Sequence, residues 1–278
     1  MKRRLIVILA LAAVIGMPAL MEGDRAIANG GRSFFGAVYT MSNAADGNAV
    51  LTFFRLPDGR LLRAGATPTG GNGTGSGLGN QGGLVLARNE RWLLAVNAGS
   101  DTVTVFEVGH LGLRRRDVQP SGGSQPISIA TYRNLVYVLN ALSDSISGFH
   151  LTKHGTLVPI PGSTRSLSTS GVAPAQISFT PDGDVLIVTE KNTNKIVTFP
   201  VDRDGVAGDI RVHPSSGETP FGFAFGKRDQ LFVSEAFGGA PDASAVSSYR
   251  VDEDGGLETI SASVGTSETA ACWVAVSR

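Results

Sequence analysis

A four-strand pattern recurs along the chain, and this recurrence constrains the fold more than any single motif does. Leu84 to Asn97 followed by Thr102 to Phe106 has the same layout as Ile127 to Asn140 followed by Ser145 to Phe149. It returns as Ile177 to Glu190 with Lys195 to Phe199, and as Phe223 to Glu235 with Ala245 to Tyr249. Each unit reads as strand, turn, strand, short polar loop, strand. A hairpin such as Asp204-Gly205 or Asp254-Gly255 then leads to a fourth strand. Asn97, Asn140, Glu190 and Glu235 recur at intervals of 43, 50 and 45 residues. That period, with four strands per unit, is the signature of β-propeller blades, whereas a β-sandwich does not require the same four-strand pattern to return.

Counting units predicts five blades, over residues 35–69, 84–120, 127–167, 177–214 and 223–264. The first begins on a segment that matches the second strand of the others. The last residues, Cys272-Trp273-Val274-Ala275-Val276, match a first strand. The sequence therefore predicts that 272–276 completes the N-terminal blade and closes the ring. Pro181-Asp182-Gly183 fits a β-turn between two strands, with Pro presetting φ and Gly tolerating a positive one. The Gly-rich stretch from Gly70 to Gly83 lacks the Gly-Lys-Ser/Thr ending of a phosphate loop and reads as a flexible inter-blade loop.

The N-terminus carries Lys2, Arg3 and Arg4, an apolar run from Leu5 to Leu20, and the small-x-small triplet Ala26-Ile27-Ala28. This is the pattern of a signal peptide over 1–28, leaving 29–278 as one propeller domain exported to the periplasm or beyond the cell. Cleavage there would remove the membrane-directed segment, so no membrane partner is expected afterwards. With 24 basic and 24 acidic residues the chain has no basic face for nucleic acid. Cys272 is the single cysteine, which rules out an internal disulfide. His110, His150, His154 and His213 show no metal-ligand spacing, and neither a metal nor a cofactor is expected.

Several segments resemble the lactonase-type β-propellers, the group that includes bacterial 6-phosphogluconolactonases and carboxymuconate cyclases. They are Gln125 to Ala130, Val172 to Gly183, Val188-Thr189-Glu190 and Cys272 to Val276. The resemblance covers essentially the whole chain after residue 28. It implies a propeller, normally of seven blades, acting on a lactone or organic acid. Two departures stand out. About two blades fewer are present, and Pro174-Ala175-Gln176 stands where the family usually has Pro-Arg-His. The family's Glu at the end of the following strand is kept as Glu190.

Strand alternation puts the second-strand ends and the loops leading into first strands on one face of a propeller. Gln81, Gln125 and Gln176 are expected there near the central channel, with Asn97 and Asn140, as hydrogen-bonding groups for a small polar or acidic ligand. Glu190 and Glu235 replace Asn in the last two blades and are the candidate catalytic carboxylates, one activating water against a lactone carbonyl. An alternative reading is a non-catalytic propeller that binds a ligand or a protein. In that case the Asn and Glu side chains satisfy loop backbone groups.

Overall fold

The computed structural model describes residues 36–87, 90–110, 112–227 and 230–277. The segment proposed as a signal peptide, 1–28, lies outside the described residues. Five antiparallel sheets follow one another along the chain. The first holds β1 (Ala37–Met41), β2 (Ala49–Arg55) and β3 (Leu61–Pro68). The second holds β4 (Leu84–Ala87), β5 (Trp92–Asn97), β6 (Thr102–Gly109) and β7 (Gly112–Pro120). The third has β8 (Pro126–Tyr132), β9 (Leu135–Asn140) and β10 (Ser145–Leu151), with a divided outer strand, β11 (Leu157–Pro159) and β12 (Arg165–Ser166). The fourth is β13 (Pro174–Phe179), β14 (Val185–Glu190), β15 (Lys195–Pro200) and β16 (Arg211–Pro214). The fifth is β17 (Pro220–Phe225), β18 (Gln230–Glu235), β19 (Ala245–Val251) and β20 (Leu257–Gly265). This is the all-β propeller architecture that the repeat predicts, with five blades.

The division of the third blade's outer strand has a local cause. Pro161 has no N–H for a ladder bond, and between β11 and β12 the Ser163 hydroxyl substitutes for backbone. It accepts from Gly148 N–H (3.0 Å) and donates to Ile160 O (2.7 Å). The Pro181-Asp182-Gly183 turn forms as expected. Gly183 has φ +89° and donates to Thr180 O (2.9 Å).

Second strands are sandwiched between blades, so both of their faces must be apolar. Every residue of β5 and of β14 is buried. Hydrophobic clusters join each blade to the next. Tyr39 and Val50 pack with Leu93 and Phe106, and Trp92 and Val105 with Val136 and Phe149. Tyr137 and Leu139 pack with Phe179 and Leu186, and Ile187 and Ile196 with Phe223 and Tyr249. Among the described residues no such cluster joins the fifth blade to the first. The Tyr137 hydroxyl also reaches across an interface, donating to Gly205 O (2.7 Å) and accepting from Ala207 N–H (2.8 Å). Burial pushes its pKa up to about 12, so it stays protonated. Tyr137→Phe leaves that amide and carbonyl unpaired, and urea denaturation should show a loss of about 1–3 kcal/mol.

Ring closure differs from the sequence expectation. The first sheet keeps three strands, and residues 271–277 form no strand. The C-terminal segment instead lies against the inner strand of the fifth blade, where Gly222 N–H donates to Cys272 O (2.9 Å). Its approach copies that of the other inner strands. Ala270 has φ 55°, as do Gln125 (57°), Ala173 (48°) and Thr219 (55°), each one residue before an inner strand begins. Thr266 N–H donates to Ser244 O in the way that Ser121 N–H donates to Asp101 O and Ser215 N–H to Asn194 O. Residues 271–276 thus occupy the place of a sixth inner strand. The physical reason is that each inner strand is positioned by the blade before it. Ile177 N–H donates to Ser128 Oγ (3.2 Å), and the Gln176 amide pairs with both the N–H and the C=O of Phe223 (2.8 and 3.1 Å).

The Gly-rich stretch also departs from the flexible loop expected of it. Gly73 and Gly75 donate to Ala44 O and Asn43 O (2.7 and 2.8 Å), which pins the segment to the β1–β2 turn. It then runs across the inner ends of the third and fourth blades. Gln81 N–H donates to Ala175 O (3.0 Å), Gln81 O accepts from Ser128 Oγ (2.6 Å), and Gly82 O accepts from Ile129 N–H (2.9 Å). Asn80 Nδ2 bonds Ile127 O. Residues 80–82 therefore bridge the inner strands of the third and fourth blades, largely through backbone groups.

Candidate functional site

The ends of the second strands place four polar side chains on one face, all fully buried: Asn97, Asn140, Glu190 and Glu235. A short turn follows each. Asp101, Asp144 and Asn194 close three of these turns with a positive φ, which Asp and Asn tolerate better than other non-Gly residues. Their side chains hold the loop leading into the next blade, accepting from Gln125 N–H (2.6 Å), Gly171 N–H (2.7 Å) and Thr219 N–H (2.7 Å).

Within this frame Asn97 is saturated. Its amide donates to Thr102 Oγ1 and Thr104 Oγ1 (3.0 and 2.9 Å), and its oxygen accepts from Asn48 Nδ2 (3.0 Å). Asn140 makes one long bond, to Ser121 O (3.5 Å), and its Oδ1 is buried without a partner. Glu190 accepts from Ser168 N–H (2.9 Å), Ser168 Oγ (2.5 Å) and Thr193 Oγ1 (2.6 Å). Glu235 Oε1 accepts from Gly217 N–H (2.8 Å), Ser215 Oγ (3.4 Å) and Ser247 Oγ. Its Oε2 is buried and has no partner. Gly217 has to be glycine for this contact, since a Cβ there would lie 2.2 Å from Oε2. The two carboxylates share no hydrogen-bond donor, and among the described residues neither is paired with a cation. Each is enclosed by its own loop.

The three glutamines do not occupy equivalent places. Gln125 precedes Pro126, while Gln176 lies two residues beyond Pro174 and spends its amide on the fifth blade. Gln81 belongs to the central crossing segment, with Oε1 buried and unpartnered. Among the described residues no three His, Cys, Asp or Glu side chains are grouped to hold a metal.

Sequence reasoning passed over Lys191. The residue after each second-strand polar group is Ala98, Ala141, Lys191 and Ala236, so one blade places a cation where three others place a methyl group. Lys191 Nζ donates to Gly79 O (2.6 Å) and sits 4.8 Å from the centre of the Phe221 ring. Burial holds its ammonium below the usual lysine pKa, with a small opposing pull from Cys272. The Cys272 thiol is itself raised by burial. The Trp273 indole donates to Asn80 O (3.2 Å) and is 42% exposed. Lys191, backed by Phe221, and Trp273 therefore flank the Gly79–Gln81 crossing.

A family model described as Lactonase, 7-bladed beta-propeller, matches residues 83–276. The chain belongs to this family. No curated protein matches it. Among solved structures, it is similar to a periplasmic gluconolactonase of Pseudomonas aeruginosa, at 19% identity and TM-score 0.63, covering 83% of this chain and 68% of that one. A protein of Lactobacillus plantarum aligns at 18% identity and TM-score 0.67, over 84% of this chain and 72% of the other. A candidate 6-phosphogluconolactonase of Bacteroides fragilis aligns at 17% and TM-score 0.62, over 81% and 67%. At these identities the likeness establishes the fold. Among its described residues this lactonase-family chain has five blades where the family model counts seven, and Gln176 ties its inner strand to that of the fifth blade.

Proposed function

We propose that the protein is a lactonase-like propeller that takes a small polar lactone, or the ring-opened acid, on the face bearing Lys191 and Trp273. The family match over 83–276 carries this reading. We place the protein outside the cytosol, on the strength of the basic, apolar and small-residue pattern of residues 1–28. Binding is the part that the geometry favours. Glu190 is saturated by donors and Glu235 is sealed from solvent, and both conditions suit loop clamps better than a base that must meet water.

Ring opening is the second reading, and one observation favours it: Glu235 Oε2 keeps its lone pairs free. With the 215–219 loop displaced, that oxygen would take a proton from water as the hydroxide attacks the lactone carbonyl. The ring C–O bond then breaks, and the proton passes to the departing alkoxide. A pH-stat titration of the folded protein against γ- and δ-lactones, beside Glu235→Gln, separates the readings. Turnover above the spontaneous rate that falls by about 10²-fold or more in the variant supports Glu235 as base. No turnover, with ligand-induced stabilisation, supports a binding propeller.

A further inference from the structure

We propose that a second copy of this chain completes the propeller, by seating its first blade on the C-terminal segment and fifth-blade face of its partner. Residues 271–276 of one copy then serve as the inner strand of the other copy's first blade. The inference concerns assembly and is independent of what the face bearing Lys191 binds.

Among the described residues, two pieces of one blade stand apart. The first blade has β1, β2 and β3 but no strand on the inner edge of β1, whereas β5, β9, β14 and β18 each have one there. Residues 271–276 hold an inner-strand place beyond the fifth blade, with no second strand beside them. Among the described residues no backbone N–H of 271–276 is hydrogen-bonded. Edges left bare in this way are templates for pairing with another chain.

The apolar faces repeat the pattern. Phe106, Phe149, Phe199 and Tyr249 each come four residues after a third strand begins, pack on the preceding blade and are at most 2% exposed. Phe53 holds the same place in β2, has no preceding blade and is half-buried. At the other end, Leu94, Tyr137 and Ile187 stand three residues before the close of a second strand, face the following blade and have no exposed surface. Phe232 holds that place in β18 and is half-buried, as is Val246 in β19. Each end of the propeller thus presents the half of a blade interface that the other end lacks. Charge favours the same pairing. Arg63 lies opposite Phe53 in the ladder and Arg55 two residues along from it, so both share its face, and neither has an ion-pair partner among the described residues. Residues 215–265 carry eight acidic side chains against Lys227, Arg228 and Arg250. A basic first blade and an acidic fifth blade attract each other between copies. In a two-fold pair each copy gives one strand and receives one. Aligning Ala271 with Pro126, Pro174 and Pro220, and Ser42 with Asn140, Glu190 and Glu235, puts Val274 opposite Thr40 of the other copy.

Light scattering after size-exclusion chromatography of the purified protein is expected to give twice the chain mass or more. Phe53→Glu and Phe232→Glu, one on each face, should weaken the association about tenfold or more. Cross-linking in a Cys272→Ser background reads the position of the contact. A Thr40→Cys chain is co-expressed with a Val274→Cys chain and treated with a short bis-maleimide. A covalent dimer is expected from the mixture and from neither chain alone. A monomer in light scattering overturns the proposal, as does an assembly that survives both Phe substitutions or gives no mixed cross-link. With both cysteines in one chain, linkage inside a monomer would also overturn it, because the five-blade ring would then shut on itself. If the glutamate variants do not fold, the cross-link alone decides, since its cysteines replace half-buried side chains.

Discussion

Glu190→Ala is expected to lower the unfolding free energy by about 2–4 kcal/mol, read from urea denaturation of the full chain. The side chain is wholly buried, and three donors from Ser168 and Thr193 point at it. Truncation leaves the Ser168 amide without an acceptor, at roughly 1–3 kcal/mol for such a group, and opens a cavity beside it. Relief of a dehydrated charge offsets part of this loss. Glu190→Gln should lose only about 1 kcal/mol, because one oxygen still accepts from the Ser168 amide and the hydroxyls can rotate. A variant pair that follows this order assigns Glu190 to holding the loop between the third and fourth blades. If Glu190→Gln left stability intact while abolishing lactone turnover, the assignment would reverse.

Trp92→Ala is expected to be the more damaging change, at about 3–5 kcal/mol. Trp92 opens β5, has no exposed surface, and belongs to the cluster that joins the second and third blades. The Gly155 hairpin of the third blade closes over its ring, and Arg91 stacks 4.8 Å from its centre. Its Nε1 has no hydrogen-bond partner, so removing the indole orphans no acceptor. The whole loss is packing. Trp92→Phe should retain roughly half of the stability lost by Trp92→Ala, and the two variants should fall in that order in both urea midpoint and Tm. Equal effects would mean that the blade interface relaxes around the site.

The strands were legible because their cause is local. The apolar runs Ile177–Phe179 and Val185–Val188, divided by Pro181-Asp182-Gly183, state their own geometry, and β13 and β14 form there. The recurrence of the unit supplied the propeller. The position of Lys191 was legible as well, as a break in a column of alanines, but only a residue-by-residue alignment of the blades exposes it.

The Gly-rich segment was misread for a different reason. Glycines carry no apolar signal, and its contacts are backbone bonds to Ala175 O and Ile129 N–H in other blades. Closure was misread because the strand character of 272–276 is local, whereas its partner is chosen by how the blades fan out. The same holds for the glutamines and carboxylates, whose side chains look alike in sequence whether they face a channel or clamp a loop.

By itself, then, the sequence determined the β-propeller class, the repeat and its strand and turn positions, because hydrophobic alternation and turn chemistry act over a few residues. The tertiary structure decided which polar groups were consumed and which remained available. Contacts between Gly79 and Lys191, 112 residues apart, and between Asn80 and Trp273, 193 apart, follow from the stacking of whole blades, and no local pattern encodes them.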